Sequence, residues 1–272
     1  MLCILSALKA ESEPLITLFR LKRQASFNFP VFLNKEIALV AIGVGKKKIS
    51  SRINTFFLKF SKESIYFINI GTSGGHSEHT SIGNCYLINK IHDDLTKKEF
   101  YPDILIKHPF EEKDVFTVEA PVNNNGDNYP SLVDMEASEI FSTCMSLVPI
   151  HHLSFLKVVS DYTDLDDQVF DAVYIKKLFN PILDKIKIYF FDLKCLEFQE
   201  KSVLTVMDSK WLKTVSDLLS LTISQNQIIK NKVIGFRLKN PNKFLPQEEM
   251  IIPKSKQHQK QIFKQLNDQI SI

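Results

Sequence analysis

The stretch SIYFINIGTSGG, residues 64–75, joins an apolar run directly to a run of small residues. Its first half is rich in β-branched and aromatic residues, which is typical of a strand covered on both faces of a sheet. Its second half leaves the backbone without bulky side chains, so a ligand can approach the main chain closely. The stretch therefore predicts a buried strand followed by a glycine-rich loop, 71–75, that lies at a binding site.

Similar apolar runs recur along the first two thirds of the chain. They are LCILSA (2–7), IALVAI (37–42), CYLINKI (85–91), VFTV (115–118) and LSFLKVV (153–159). Between them, apolar residues recur at helical spacing, for example over 49–60 and 137–145. This alternation predicts an α/β fold with helices on both sides of the sheet.

The last third of the chain has a different character. An amphipathic stretch runs from 168 to about 190, and Pro181 is expected to kink or divide it. Strand-like runs become rare after it, so we predict a domain over 1–195 and a mainly helical C-terminal extension over 196–272. Three prolines predict an irregular connection over 240–260 before a short final helix. The apolar positions of the extension are expected to pack onto the main domain: Trp211, Val215, Leu218, Leu219 and Leu221.

Composition excludes several classes of protein. Of the 272 residues, 44% are hydrophobic and 24% are charged, which is typical of a folded globular chain. The net charge is only +3, and the basic runs at 45–48 and 254–260 are interpreted as solvated, so no nucleic-acid partner is predicted. No apolar run reaches the roughly 18 residues of a membrane span, and none is predicted.

The compartment is predicted from the cysteines and the N-terminus. The four cysteines, Cys3, Cys85, Cys144 and Cys195, lack any metal-ligand spacing and are interpreted as reduced, buried thiols. The start, MLCILSALKAE, has no basic region and indicates a strand and not a signal peptide. We therefore expect a cytoplasmic protein.

Candidate functional residues follow the predicted strands, because sites in open α/β sheets form at the carboxyl ends of strands. Glu11 follows the first strand, VDMEA (133–137) begins a helix, and Ser160 and Asp161 end the strand over 153–159. Taken singly, each acid has an ordinary explanation as a solvated, dipole-stabilising or capping residue. Together they provide acids to orient a water, hold hydroxyl groups and protonate a leaving group, as a hydrolase requires.

The order of these segments resembles a known group of enzymes. The segments are SALKAE (6–11), GVGKKK (43–48), INIGTSGG (68–75), IHDD (91–94), VDMEA (133–137) and VVSDYTD (158–164). They resemble the nucleoside phosphorylase and nucleosidase superfamily over residues 1–190, most closely the methylthioadenosine/S-adenosylhomocysteine nucleosidases. The resemblance implies a three-layer αβα fold with a central mixed, partly barrel-like sheet. It also implies a homodimer that needs no cofactor.

The resemblance also implies roles for individual residues. Glu11 matches the carboxylate that positions the attacking water, and Met135 and Glu136 match the pair that lines the ribose. Asp161 matches the acid that protonates or hydrogen-bonds N7 of the purine, and Ser160 helps to orient it. Protonating N7 turns a poor leaving anion into a neutral base. Asp161 must then keep its proton near neutral pH, which requires burial or a neighbouring acid.

The remaining residues concern the nucleophile and the base. Phosphorylases of the superfamily place an arginine two residues before the glycine of the glycine-rich segment, and this chain has Asn69 there. A neutral amide cannot grip phosphate as an arginine does, so water is predicted as the nucleophile, although the lysines at 46–48 leave phosphate open. Thr72 and Gly74 are expected near the water, sugar or base, and Phe116 is the candidate to stack on the base.

The sequence therefore predicts hydrolysis of the N-glycosidic bond of a purine nucleoside, in particular a 5′-modified adenosine. Three alternatives stay open: a phosphorylase, a hydrolase of another nucleoside such as futalosine, and a nucleoside-binding regulatory protein without turnover. His76 and His79, with the HDD segment at 92–94, have metal-binding side chains. We interpret His76 and His79 as residues of a connecting loop and predict no metal site.

Overall fold

The structure is a computed structural model that describes residues 1–61, 63–122, 129–163, 171–201, 203–240, 243–246 and 253–270. The chain divides into two compact units, Met1–Leu193 and Lys194–Ile272. The division falls inside a long helix, close to the predicted boundary at 195. That residues 196–272 form a separate domain stays a prediction.

One sheet organises the first unit. Its strands are β1 (Leu2–Ser6), β2 (Lys22–Arg23), β3 (Val31–Leu33), β4 (Ile37–Ala41), β5 (Tyr66–Gly74), β6 (Cys85–Asp93), β7 (Glu99–Phe100), β8 (Glu111–Thr117), β9 (Leu132–Asp134) and β10 (Leu153–Asp161). Each of the predicted apolar runs forms one of these strands. The short strands β2, β3, β7 and β9 carry too few apolar residues to be predicted from periodicity.

The sheet closes on itself at one end. In order, β10, β6, β8 and β9 are neighbours, and β5 pairs with both β9 and β10, so five strands form a closed barrel. From β5 the sheet continues through β1, β4, β3 and β2. Strands β1, β4, β5 and β10 are parallel, whereas β10–β6 and β5–β9 are antiparallel. The predicted mixed, partly barrel-like α/β sheet is confirmed.

The helices of the chain follow the predicted pattern. They are α1 (Lys9–Leu18), α2 (Ile49–Lys59), α3 (Ala137–Cys144), α4 (Ala172–Phe179), α5 (Leu183–Lys201), α6 (Val206–Leu218), α7 (Ile223–Lys239) and α8 (Lys256–Ile270). Short 3₁₀ turns occur at Lys46–Lys48, Ile150–His152 and Asn180–Ile182. Pro181 lies in the last of these turns, between α4 and α5, as the sequence predicts. The start of the predicted helix, 168–170, lies outside the described residues.

The glycine-rich segment is a strand and not the predicted loop. Residues 71–74 continue β5, and they pair in register with Lys157, Val158, Val159 and Asp161 of β10. Small residues do not exclude strand pairing, because the ladder uses only backbone groups. Glycine here leaves space beside the backbone without ending the strand. The apolar run therefore ends at Ile70, four residues before β5 ends at Gly74.

The second unit has its own core. Buried residues from α6, α7 and α8 contact one another: Trp211, Val215, Leu219, Ile229, Val233, Ile262, Leu266 and Ile270. Trp211, Val215 and Leu219 belong to this core, and Leu218 and Leu221 pack against it. That these residues pack onto the main domain stays a prediction. Thr205 and Thr222 begin α6 and α7 with capping boxes.

The end of the chain differs in part from the prediction. Of the predicted connection over 240–260, residues 241–242 and 247–252 lie outside the described residues. Helix α8 begins at Lys256, before the predicted end of the connection.

Two further expectations concern the cysteines and the membrane. All four cysteines are free thiols; Cys3 and Cys144 are buried as expected, Cys85 is partly buried, and Cys195 is exposed, which corrects the expectation of four buried thiols. Within the described ranges, we find no helix whose length and apolar character suffice to cross a bilayer.

Candidate active site

A pocket of about 300 Å³ lies where the carboxyl ends of β5 and β10 meet the start of α1 and α3. Its volume is at the lower end of the range for small-molecule sites. Seven of the eight residues predicted for the site line it: Glu11, Thr72, Gly74, Met135, Glu136, Ser160 and Asp161. The topology explains this convergence, because β1, β5 and β10 are parallel and end at the same edge of the sheet.

Glu11 is buried and held from both sides of its carboxylate. One oxygen, Oε2, accepts hydrogen bonds from the Ser6 hydroxyl at 3.2 Å and from the amides of Ala7 at 3.2 Å and Leu8 at 2.8 Å. The other, Oε1, accepts from both the amide and the hydroxyl of Thr72, each at 2.8 Å. These bonds fix the orientation of a charged group whose burial would otherwise be costly.

Two glycines of β5 allow neighbouring side chains to pack close to the strand. A Cβ atom on Gly71 would lie 3.3 Å from Oε1 of Glu11, and a Cβ on Gly74 would lie 2.7 Å from Cγ2 of Thr163. The second distance is shorter than any ordinary carbon contact. The small residues of this segment therefore serve close packing of Glu11 and Thr163 against the strand.

Glu136 lies between β9 and α3, at the position just before the first residue of the helix. Its Oε1 accepts a hydrogen bond from the amide of Gly45 at 2.8 Å, and Gly45 has a φ of +70°, which favours glycine. Burial raises the pKa of Glu136, the negative charges of Asp134 and Glu11 add to the rise, and Lys157 opposes it. The GVGKKK segment thus contributes a backbone donor to the acid that the resemblance assigns to the ribose.

Lys157 is a pocket residue that the sequence analysis did not single out. Its ammonium group contacts Oδ2 of Asp134 at 2.7 Å, and both side chains are almost wholly buried. Although burial alone would lower the pKa of Lys157, the charges of Asp134 and Glu136 raise it above its usual value, so it stays protonated. A single charged residue inside the apolar run LSFLKVV was the signal that a buried partner had to exist.

Asp134 is itself fully engaged. Its Oδ1 accepts from the Thr117 hydroxyl at 2.7 Å, and its Oδ2 accepts from the amide of Ala137 at 2.9 Å as well as from Lys157. It therefore joins β8, β9, β10 and the first turn of α3 at one point.

Asp161 and Ser160 end β10 and are both buried. The Ser160 hydroxyl donates to Oδ2 of Asp161 at 2.7 Å, and the amide of Thr163 donates to Oδ1 at 2.8 Å. The carboxyl group therefore has a fixed orientation at the wall of the pocket. This contact between the two side chains is the one that the resemblance implied.

The pocket also contains polar atoms without a partner. Asn69 donates from Nδ2 to the carbonyl of Leu5 at 3.0 Å, but its Oδ1 is buried and has no hydrogen-bond partner within the described part of the chain. The same holds for the hydroxyl of Ser73, and both residues line the pocket. Unpaired buried polar atoms are uncommon in folded proteins, and in a pocket they indicate positions for water or a ligand.

The lysines of GVGKKK do not line this pocket. Lys46 forms ion pairs with Asp93 at 2.9 Å and with Glu119 at 2.6 Å, and Lys47 and Lys48 are exposed. The expectation that the whole run is solvated is therefore wrong for Lys46. Its charge is paired with two acids.

Phe116 does not line the pocket, which corrects its predicted position. Its ring stacks on His92, with ring centroids 4.2 Å apart and 5° between the planes. Phe116 lies in β8 before the strand ends at Thr117, whereas Val118 beyond that end does line the pocket. The predicted pocket residue lies two positions before the residue that lines the pocket, because the run VFTV does not show that β8 ends at Thr117.

His76, Glu78 and His79 lie together on the turn after β5. Their nearest ligand atoms are within 4.8 Å of one another, and the two imidazole rings stack at 4.8 Å. Nδ1 of His76 accepts a hydrogen bond from the amide of Glu78, so this nitrogen is used by the turn itself. Glu78 and His79 are exposed.

No protein-family model matches the chain, and no curated protein matches it significantly. Solved structures do match in fold. One is the methylthioadenosine/S-adenosylhomocysteine nucleosidase of Neisseria meningitidis in complex with methylthio-immucillin-A, 18% identical, with a TM-score of 0.55 over 68% of this chain and 98% of that chain. The chain has the fold of these nucleosidases.

Two further structures support the same assignment of fold. The methylthioadenosine nucleosidase of Arabidopsis thaliana is 19% identical, with a TM-score of 0.56 over 70% of this chain and 94% of that one. An aspartate-to-asparagine variant of a Chlamydia trachomatis nucleosidase bound to MTA is 22% identical, with a TM-score of 0.54 over 70% and 98%. The fold implied by the sequence resemblance is thus confirmed.

Proposed function

We propose that the protein hydrolyses the N-glycosidic bond of a purine nucleoside, in particular a 5′-modified adenosine such as methylthioadenosine or S-adenosylhomocysteine. One observation carries the proposal. Three acids that are 25 or more residues apart in sequence, Glu11, Glu136 and Asp161, line one pocket together with Asn69. The nucleosidases that share this fold and bind MTA or methylthio-immucillin-A support the same class of substrate.

The acids divide the reaction between them. Asp161 donates a proton or hydrogen bond to N7 of the base, so that the base leaves without a full negative charge. Glu136 accepts hydrogen bonds from the ribose hydroxyls, which fixes the sugar beside Asp161. Glu11 orients the attacking water, and the transition state gains from the negative charges near the developing positive charge on the ribosyl ring.

The charge of the pocket favours water over phosphate as the nucleophile. Four acids line the pocket, Glu11, Asp134, Glu136 and Asp161, whereas Lys157 is the one cation among its described lining residues. Lys157 is already paired with Asp134 at 2.7 Å. A phosphate dianion entering this site would meet surplus negative charge, so binding it would cost electrostatic free energy.

The apolar part of the lining supports a substituent on the 5′ carbon. Ala7, Leu8, Val44, Pro121 and Val122 line the pocket and offer no charge. An alkylthio group gains free energy by leaving water for such surroundings, whereas a 5′ hydroxyl loses hydrogen bonds with water. A homodimer and a cytoplasmic location stay predictions.

The test is incubation of the purified protein with methylthioadenosine, S-adenosylhomocysteine, adenosine and inosine, followed by chromatography for the free base. We expect adenine from the 5′-thio substrates, at a rate independent of added phosphate. The product sugar separates the two reactions, because phosphorolysis yields a ribose 1-phosphate and hydrolysis yields a free ribose. Release of no base from any of these nucleosides would refute the proposal, and a strict requirement for phosphate would replace it with a phosphorylase.

A further inference from the structure

The end of β10 leaves the regular register of the sheet just before the proposed acid. Val159 pairs with Ser73 and Asp161 pairs with Gly74 on β5, so Ser160 is an extra residue between two consecutive pairs. Successive side chains of a regular strand point to opposite faces, whereas Ser160 and Asp161 both line the pocket. A bulge of this kind re-aims side chains and is common beside active sites.

Three donors outside the regular ladder hold the carbonyl groups of this bulge. The amide of Gly83 donates to the carbonyl of Val159 at 2.8 Å, and the amide of Gly75 donates to that of Asp161 at 2.8 Å. Between them, the hydroxyl of Tyr174 donates to the carbonyl of Ser160 at 2.7 Å. Two of these three donors are backbone groups, and Tyr174 supplies the third from its side chain.

Tyr174 is well placed to fix this carbonyl. It lies in the first turn of α4, and its amide donates to Oδ1 of the capping residue Asp171 at 2.7 Å. The same helix is tied to α1 by the ion pair of Lys176 with Glu13, two residues after Glu11. Helix α4 thus contacts both the helix that carries one proposed catalytic acid and the bulge that carries the other.

We infer that Tyr174 is a positioning residue for Asp161, and that its hydroxyl holds the Ser160 bulge in the conformation that aims the carboxyl group at N7. The inference rests on the proposed function and adds a residue to it. Losing the hydroxyl frees the peptide of Ser160 and misaligns the carboxyl of Asp161. A displacement of about 1 Å at a reacting group is enough to cost much of its contribution.

The test uses Tyr174→Phe in the full chain, because phenylalanine keeps the ring and removes only the hydroxyl. We expect kcat to fall about tenfold with KM nearly unchanged, the loss of one positioning hydrogen bond. The matched control is Tyr101→Phe, because the hydroxyl of Tyr101 donates to Glu99 at 2.6 Å on an exposed surface outside the pocket. The control variant should match the wild type.

A binding measurement separates positioning from general structural damage. Adenine carries N7 and 7-deazaadenine does not, so the dissociation constant of 7-deazaadenine divided by that of adenine reports the contact with Asp161. We expect Tyr174→Phe to reduce this ratio while leaving the affinity for 7-deazaadenine at the wild-type value. An unchanged ratio, or an equal loss of affinity for both ligands, would overturn the inference.

The two levels of the proposal fail in different ways. If the wild-type protein releases no base and binds no adenine, the proposed function is wrong and the inference falls with it. If the wild-type protein is active and Tyr174→Phe keeps both kcat and the adenine ratio, the function stands and only the role of Tyr174 is wrong.

Discussion

Two buried ion pairs, one in each compact unit, show how the same interaction serves different ends. In the helical unit, Arg237 binds Asp208 with two hydrogen bonds, from Nε at 2.8 Å and from Nη2 at 2.6 Å. In the pocket, Lys157 contacts Asp134 at a single oxygen, at 2.7 Å. The planar guanidinium matches both oxygens of its partner, whereas the lysine is a point charge that also attracts neighbouring acids.

The surroundings of the two pairs explain the difference. Asp208 also accepts from the amide of Thr205 and closes the N-terminus of α6, so its charge is neutralised within the unit. Lys157 faces Glu136 and Glu11 in addition to its partner, and the pocket keeps a surplus of negative charge. A pair that is fully satisfied stabilises a fold, while a pair that leaves charge unbalanced beside a cavity acts on whatever enters it.

The largest expected effect comes from replacing one acid in each unit, Asp161 in the pocket and Asp208 in the helical unit. Asp161→Asn should lower kcat by about 10²–10⁴-fold, the usual contribution of general acid catalysis, because asparagine cannot protonate N7. Asp208→Asn should leave kcat at the wild-type value and lower the stability of the helical unit. Rates of adenine release and urea unfolding curves of both variants check the pair. Full activity in Asp161→Asn would contradict its role.

The second prediction breaks each ion pair from its cationic side. Lys157→Met leaves Asp134 as an uncompensated buried charge, which typically costs about 3–5 kcal/mol of unfolding free energy. Arg237→Met does the same to Asp208, and urea denaturation measures both. Only Lys157→Met should also reduce turnover.

A compensating change sharpens this second prediction. Adding Asp134→Asn to Lys157→Met removes the stranded charge, so the double variant should regain much of the lost stability but not the activity. If the double variant is no more stable than Lys157→Met alone, the pair is not the source of the cost.

The sequence allowed much of this arrangement to be predicted, and the reasons are local. Apolar runs mark β1, β4, β5 and β10 because those strands are buried on both faces. Their parallel order then brings the acids that follow them to one edge. The closure of the barrel was implied only by the resemblance, since pairing of β5 with β9 is a contact between distant strands that no periodicity reports.

What the sequence did not reveal are features that depend on exact strand ends and on partners across the sheet. Phe116 was assigned to the pocket because the end of β8 could not be located, and residues 71–74 were assigned to a loop because glycine usually ends a strand pattern. Lys157 was overlooked because a charge in an apolar run has no visible partner until β9 and β10 pair with opposite edges of β5 and bring Asp134 beside it. Each of these errors concerns where a strand ends or which residue lies across the sheet from it.

The third prediction compares two glycines. A Cβ atom at Gly74 would lie 2.7 Å from Thr163 and 3.5 Å from Oδ1 of Asp161, whereas one at Gly235 in α7 would meet no atom within 4 Å. Gly74→Ala should therefore shift the end of β10 and lower kcat about 10–100-fold, as small misplacements of reacting groups do. Gly235→Ala should leave kcat unchanged and stabilise the protein by about 0.5–1 kcal/mol.

Kinetic and denaturation measurements on the two alanine variants check this prediction together. A Gly74→Ala variant with wild-type kcat would show that the close contact with Thr163 does not position Asp161. A destabilised Gly235→Ala variant would show that the open space beside α7 is filled in solution.

The smallest expected effect is the change of stability with pH, and its sign for Asp208 in the helical unit is opposite to its sign for Glu136 in the pocket. Although burial alone would raise it, hydrogen bonds from Arg237 and Thr205 lower the pKa of Asp208, so its stabilising contribution is lost as the pH falls through that lowered pKa. Burial raises the pKa of Glu136, and the attraction of Lys157 offsets only part of this rise. Its contribution is therefore present below the ordinary glutamate pKa and lost as the pH rises through the raised pKa.

Glu136→Gln tests the pH dependence predicted for Glu136, because glutamine keeps the shape of the side chain and cannot ionise. We expect the variant to be at least as stable as the wild type at neutral pH, with an advantage that grows as the pH rises from the ordinary glutamate pKa through the raised pKa of Glu136. Urea unfolding across that range measures the difference, and nucleoside binding should be weaker because the ribose loses a charged acceptor. An advantage that does not change with pH would mean that the charge of Glu136 costs the folded protein nothing. The charge of Glu136 would then be as well compensated as that of Asp208, and the two units would not differ in this respect.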